Sequence, residues 1–253
     1  MTGDWRFPWW IAHRGAGKLA PENTLAAFRL GASHGYTAFE CDVKLSADGV
    51  PFLLHDATLE RTTNGQGVAG ELPWSELSRL DAGGWHSTGY AGEPPASLQA
   101  VAAFVQAGGF WLDLEIKPTP GTEAQTGAAV AEAVARLWHG KERAPLLSSF
   151  QPEALRAARD SVPQLQRALL LDQPNAGALE LATALGCVAL ITHHKMMDEA
   201  LVSRVHAAGL RAMVYTVNEG PRAQALQALG IDGLVTDAVD RLGPGALSCG
   251  SPR

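Results

Sequence analysis

A parallel α/β barrel of the (β/α)8 type is the fold this sequence predicts, and three observations carry the prediction. Eight short apolar runs recur along the 253 residues, and most are followed by an Ala/Leu-rich stretch with helical spacing. Strands alternating with helices imply a parallel sheet. The length is the third observation, because eight such units close into a barrel that routinely fills about 250 residues as one domain. A single domain over residues 1–253 is therefore expected.

The first run, residues 9–13, leads to a helix starting near Thr24. The second, 38–43, is followed by Ser46-Ala47-Asp48-Gly49, a turn too short for a parallel crossover, and then by a ninth apolar run, 51–55. That ninth run reads as the return arm of a β-hairpin. Residues 56–96 are rich in Gly, Pro, Thr and Trp, with one short helical stretch near 74–80, and are expected to form an insertion after the second strand, over one barrel mouth. The remaining strands are expected at 110–116, 146–150, 167–171, 188–192, 211–217 and 233–236. Helices are expected to begin near Leu98, Glu123, Pro152, Ala176, Asp198 and Pro221. The tail, about 243–253, has a composition expected to stay mobile and to carry no chemistry.

Composition narrows the function. Twenty Lys+Arg against 26 Asp+Glu give a net charge of -6 without a basic stripe, which argues against nucleic acid as a partner. No stretch approaches the roughly 18–20 apolar residues that a membrane span requires. Asp4, Arg6 and Pro8 interrupt the first ten residues where a secretory leader would carry an apolar run, so a cytoplasmic protein is expected. Cys41, Cys187 and Cys249 are odd in number and lack a CxxC spacing, so neither a disulfide framework nor a cysteine zinc site is indicated. Cys41, between two acids in a strand, reads as a buried structural thiol.

Chemistry concentrates at strand ends. Residues i and i+2 of a strand share a face, so Glu40 and Asp42 point one way together, as do Asp113, Glu115 and Lys117. Converging carboxylates in a barrel mouth are costly unless protonated, paired or bound to a cation. Oxygen-only ligation suits Mg2+, Ca2+ or Mn2+ better than zinc. The competing reading pairs the acids with Lys44, Lys117 or Arg14 as buried salt bridges. His13 ends the first strand and His55 ends the hairpin arm, and two imidazoles reaching one mouth can serve as general base and general acid near neutral pH. Arg14 and Lys117 are cations suited to a phosphoryl group, and Gly15-Ala16-Gly17 gives the backbone freedom to approach an anion. Glu22 and Asn23 read as residues at the cap of the first helix, with Asn23 or Thr24 as N-cap. Asn218 reads as a cap of the last long helix. His193 and His194 are adjacent and expected to point apart, which disfavours a second metal site.

Taken together, these segments resemble the glycerophosphodiester phosphodiesterases. The resemblance rests on Ala12-His13-Arg14-Gly15, Pro21-Glu22-Asn23-Thr24, Phe39-Glu40-Cys41-Asp42-Val43, Asp48-Gly49-Val50-Pro51 leading into His55-Asp56, Arg61-Thr62-Thr63, and Leu114-Glu115-Ile116-Lys117. It continues through Ser148-Ser149-Phe150, Tyr215-Thr216-Val217-Asn218 and Gly233-Leu234-Val235-Thr236-Asp237, covering about residues 9–242, and is nearest to the cytoplasmic bacterial form. The resemblance implies a TIM barrel of the phospholipase C-like phosphodiesterase type with a small insertion after strand 2. It further implies hydrolysis of glycerophosphodiesters to sn-glycerol 3-phosphate and an alcohol. By the same resemblance Glu40, Asp42 and Glu115 match the ligands of one divalent cation, Mg2+ or Ca2+ with Mn2+ also admissible. His13 and His55 match the acid–base pair, Arg14 and Lys117 the phosphate contacts, and Tyr215 a wall beside the substrate where relatives often carry Trp. Asp113 stands where relatives often have Asn, and there a buried carboxylate needs Lys117, a proton or a water as partner.

The partner expected is a small-molecule glycerophosphodiester, with the chain a monomer or homodimer. Two alternatives draw on the same residues. A lysophospholipase D would reuse the same site and need an apolar wall, for which Trp85, Tyr90, Phe110 and Tyr215 are the candidates. A non-catalytic barrel that binds glycerophosphodiesters would have lost a histidine or a ligand, whereas all five matched catalytic and metal positions are intact.

Overall fold

The computed structural model describes residues 5–244. Its elements run β1 Trp10–Ala12, α1 Leu25–Ser33, β2 Ala38–Leu45, β3 Pro51–Leu53, α2 Trp74–Leu77, α3 Leu98–Gly108, β4 Trp111–Ile116, α4 Glu123–Leu137 and β5 Leu146–Ser149. They continue with α5 Pro152–Ser161, β6 Arg167–Leu171, α6 Ala178–Ala184, β7 Ala189–His193, α7 Glu199–Ala207, β8 Arg211–Tyr215, α8 Gly220–Ala228 and β9 Gly233–Thr236. Eight parallel strands follow one another around the sheet, and β1 pairs with both β9 and β2, which closes the barrel. The ninth strand, β3, pairs antiparallel with β2 through Val43–Leu53, Lys44–Phe52 and Leu45–Pro51. The hairpin is therefore as expected, but its arm is shorter: the ladder ends at Leu53, and His55 lies in the bend beyond it. The tail expectation, and Cys249 with it, lies outside the described residues apart from Gly243 and Pro244.

Side-chain parity explains why this barrel has a polar mouth. Ile11, Ala38, Leu146, Ala168, Leu170, Ala189, Ile191, Met213 and Val235 fill the interior with Phe7. Their strand neighbours, such as Ala12, Leu147, Leu169, Leu190, Val214 and Leu234, face the helices. The same two-residue period turns Glu40, Asp42 and Lys44 of β2 inward above Ala38, and Asp113 and Glu115 inward above Trp111 of β4. The register sets Glu40 beside Asp113 and Asp42 beside Glu115. Neighbouring strands lie about 4.8 Å apart, so side-chain parity and register together place four carboxyl groups in two adjacent interior layers.

Local signals account for the helices. Thr24 caps α1, its side chain accepting from the Ala27 amide at 3.2 Å, and Ser97 and Asp198 do the same for α3 and α7. Proline sits in the first turn of α5 and α8. The inserted segment builds a small core of its own from Phe52, Leu54, Leu59, Ala69 and Leu77, with Trp74 against Phe52 at 5.9 Å. It is fastened to the first βα loop and α1. Glu93 accepts from the Ala26 amide at 3.0 Å, and His86 Nε2 meets the Lys18 carbonyl at 3.1 Å.

Candidate active site

His13 follows β1 directly, its amide donating to the Thr236 carbonyl at 3.0 Å, and Arg14 turns the chain with φ +50. A non-glycine residue in the left-handed region carries strain that the surroundings must hold in place. Here the Arg14 amide donates to Glu40 at 3.1 Å and its guanidinium to Glu22 at 2.7 Å, with Nε 3.3 Å from Asp42 Oδ2. Asn23, φ +61, clasps Asp42 in both directions: its amide donates to Oδ2 at 2.8 Å and its carbonyl oxygen accepts the Asp42 amide at 3.1 Å. Asn23 is thus a brace for Asp42, and the cap role falls to Thr24 alone.

Each of the two histidines rests on an aspartate. His13 Nδ1 lies 2.5 Å from Asp237 Oδ1, and its Nε2 lies 3.7 Å from Glu40 Oε2. Asp237 is held in turn by Asn218, which donates to Oδ2 at 3.0 Å and accepts the Asp237 amide at 2.8 Å. Asn218 therefore does not cap α8, whose N-cap is Glu219. His55 Nδ1 lies 2.7 Å from Asp56 Oδ1, and Arg61 grips Asp56 at 2.6 Å while donating two bonds of 2.8 Å to Glu22. Glu22, expected at a helix cap, instead joins Arg14 to Arg61. Gly17, expected to free the backbone for an anion, makes a close approach of another kind. A Cβ at position 17 would stand 2.1 Å from the Asp237 carbonyl oxygen, so glycine there lets the Asp237 loop sit against β1.

Glu40, Asp42 and Glu115 each offer an oxygen within 4.8 Å of the others, and all three are buried. Burial, then Asp42 and Glu115, push Glu40 well above the ordinary carboxylate range. Burial and Asp42 push Glu115 up to about 7. Burial also works against ionised Asp42, but Arg14, Lys117, His55 and the Asn23 bond outweigh it and hold that carboxyl well below the ordinary range. Asp42 Oδ1 is buried without a hydrogen bond. Opposed charges and an orphaned oxygen fit a bound hard cation. The salt-bridge reading is partly realised alongside: Lys117 Nζ is 3.0 Å from Glu115 and 3.6 Å from Asp42. Lys44 takes no such part, because its Nζ donates to the Lys117 carbonyl at 3.0 Å.

Asp113 finds a partner the sequence reading did not name. The Ser148 hydroxyl donates to it at 2.6 Å, while burial pushes the carboxyl up to about 7. Burial lowers His55 below its ordinary value. The Tyr215 hydroxyl donates to the Leu171 carbonyl at 3.1 Å, and its ring meets Phe150 edge-on at 5.8 Å. His13, Arg14, Glu40, His55, Glu115, Lys117 and Tyr215 all line one cavity of about 200 Å3, floored by Leu170, Ile191 and Val235.

The apolar wall proposed for a lipid substrate does not assemble. Phe110 packs on Phe39 and Phe104 at the start of β4, and Trp85 and Tyr90 each meet His86 edge-on in the insertion. His193 and His194 do not point apart. Their ring centroids are 4.7 Å apart because His194 lies past the strand end, and among the described residues the carboxylate trio is the one group placed to hold a metal.

Fold and site together define a barrel hydrolase of phosphoric diesters. The family model of the glycerophosphoryl diester phosphodiesterases matches residues 13–241, and the chain belongs to that family. It is 30% identical over 236 residues to the glycerophosphodiester phosphodiesterase of Caldanaerobacter subterraneus subsp. tengcongensis, covering 92% of this chain and 95% of that one. An Oleispira antarctica phosphodiesterase, solved with the product sn-glycerol-3-phosphate, matches with a TM-score of 0.87 at 35% identity over 92% of this chain and 94% of that one. The glycerophosphodiester phosphodiesterase of Agrobacterium tumefaciens matches with a TM-score of 0.79 at 30% identity, covering 92% and 98%. Among the described residues no helix is long and apolar enough to cross a membrane.

Proposed function

We propose that this chain hydrolyses glycerophosphodiesters to sn-glycerol 3-phosphate and an alcohol, with His13 and His55 as the acid–base pair and Glu40, Asp42 and Glu115 holding one divalent cation, Mg2+, Ca2+ or Mn2+. The observation that carries the reading is the placement of two aspartate-backed imidazoles, two cations and the carboxylates Glu40 and Glu115 around one cavity, with Asp42 buried within 4.8 Å of both carboxylates. The product bound to the Oleispira antarctica relative supports it.

A phosphodiester resists attack because its anionic oxygens repel a nucleophile and its alkoxide leaves poorly. Arg14 and Lys117 line the cavity where the phosphoryl oxygens would lie and would offset the charge that builds on them. A cation held by the three carboxylates would add Lewis-acid stabilisation of the same charge. His13 takes the proton of the attacking hydroxyl, its ring held by Asp237 at Nδ1. That hydroxyl belongs to water, which gives glycerol 3-phosphate directly, or to the neighbouring 2-position of the glycerol, whose attack has the smaller entropic cost and leaves a cyclic phosphate that a water must then open, the two histidines exchanging roles, to give the same product. The new P–O bond forms as the P–O bond to the alcohol breaks, and His55 supplies the proton that the departing oxygen needs. Tyr215 lines the same cavity and would form a wall beside the substrate, on its headgroup or glycerol side.

The test is release of glycerol 3-phosphate from a defined glycerophosphodiester, with EDTA and then with each added cation. Release that EDTA abolishes and a cation restores is the expected result. No release under any cation would refute the proposal.

A further inference from the structure

Two spaces meet at the reacting centre. The cavity of about 200 Å3 is closed below by Leu170, Ile191 and Val235, and a second groove of about 290 Å3 adjoins it. The residues they share are His55, Glu115, Lys117 and Phe150. A diester has two arms on one phosphorus, so the bond that breaks belongs where the spaces join. The floored cavity suits the arm common to all substrates, and the groove, which continues past Pro118 and Pro120 at the surface, suits the variable alcohol. His13 borders the cavity and not the groove, which agrees with His55 as proton donor to the alcohol.

The lining of the groove has a definite electrostatic character. Lys44 and Lys117 both face it, and Lys44 is 1% exposed with its Nζ anchored on the Lys117 carbonyl. The single carboxylate there, Glu115, is already engaged by Lys117 at 3.0 Å. A quaternary ammonium is recognised by open aromatic faces or an unspent carboxylate. The groove offers one phenyl ring, Phe150, with the Lys117 ammonium already over it at 5.6 Å and Tyr215 against it. The exposed Gln151 side chain supplies polar groups that suit hydroxyls, while the buried Ser149 hydroxyl is spent on the Ile116 carbonyl at 2.7 Å.

We infer that the groove bounded by Lys44, Lys117 and Gln151 is the leaving-alcohol subsite, and that it selects an uncharged polyol over a cationic alcohol. The inference rests on the phosphodiesterase function proposed above and adds the class of the departing alcohol to it.

The experiment compares kcat/KM for the glycerol and choline diesters of sn-glycerol 3-phosphate, on the metal-loaded wild type, Lys44→Met and Gln151→Glu. The wild type is expected to favour the glycerol diester by about tenfold, a preference that narrows as salt is raised because it is electrostatic. Lys44→Met removes a buried charge and Gln151→Glu places a carboxylate at the mouth of the groove. Both should move the ratio toward choline. Gln151 is exposed and precedes α5, where an acidic side chain is tolerated, so this variant folds even if Lys44→Met does not. Turnover of both diesters at equal efficiency, with a ratio that neither Gln151→Glu nor salt moves, would overturn the inference and leave the function standing. Turnover of neither diester by the wild type would refute the function itself.

Discussion

His13 Nδ1 stands 2.5 Å from Asp237 Oδ1, although 224 positions separate the two residues in sequence. Barrel closure brings them together, since β1 and β9 are paired neighbours and each residue is the first beyond its strand. Asp237 thereby fixes which ring nitrogen of His13 faces the cavity. Asp237→Asn should lower kcat by about a hundredfold, within the range a general base contributes, and leave cation affinity unchanged. Steady-state kinetics with a metal titration checks both halves, and an unaltered kcat would remove Asp237 from the account.

Gly17 makes that arrangement possible. Any side chain there collides with the Asp237 carbonyl at 2.1 Å. Gly17→Ala should displace the loop and cut kcat at least as far as Asp237→Asn does, with a lower Tm as well. Equal activity and Tm to wild type would show that the approach is not needed.

Arg61 links the insertion to the first βα loop through Asp56 and Glu22. Hydrogen bonds from Arg61, then His55, hold Asp56 down at about 2. For Glu22 burial acts upward, but Arg61 and Arg14 outweigh it and the net direction is also downward. Depressed carboxyl groups stabilise the fold above their unfolded value of about 4 and lose that contribution as pH falls toward about 2. The Tm gap between wild type and Arg61→Met should therefore be open at pH 6 and close by pH 2–3. A gap independent of pH would contradict the ion-pair role. Because Asp56 orients His55, the same variant should also lose kcat.

Asp113 has the opposite sign. Its carboxyl is raised to about 7, so the fold favours its protonated form and loses stability as pH rises from about 4 through 7. Asp113→Asn keeps a partner for Ser148 and should raise stability at pH 8 by about 4 kcal/mol in the presence of EDTA, with no gain at pH 4. Denaturant melts at the two pH values decide it.

Much of this was legible in the sequence, because periodicity is local. The strand and helix alternation predicted the barrel, and the i, i+2 spacing placed Glu40 with Asp42 and Asp113 with Glu115 on inward faces. What the sequence did not show is pairing across distant segments. Asn23, Glu22 and Asn218 carry residue types common at helix caps, and local chemistry alone assigned them there. Their partners Asp42, Arg61 and Asp237 become visible only once the first and last loops are folded over the same mouth. Ser148 as the partner of Asp113 depends on the β4–β5 register, which no single-strand pattern encodes. Phe110 was misplaced for a related reason: it precedes β4, at the end of the strand opposite Glu115.

In the proposed mechanism two imidazoles perform proton transfer beside a carboxylate trio that would hold the cation. The most direct measurement is glycerol 3-phosphate release by His13→Ala and His55→Ala at saturating cation, with cation affinity measured on the same samples. Each variant should bind the cation as wild type does and lose most of its turnover, by about a hundredfold or more. Turnover near the wild-type rate in either variant, with the cation bound, would contradict it.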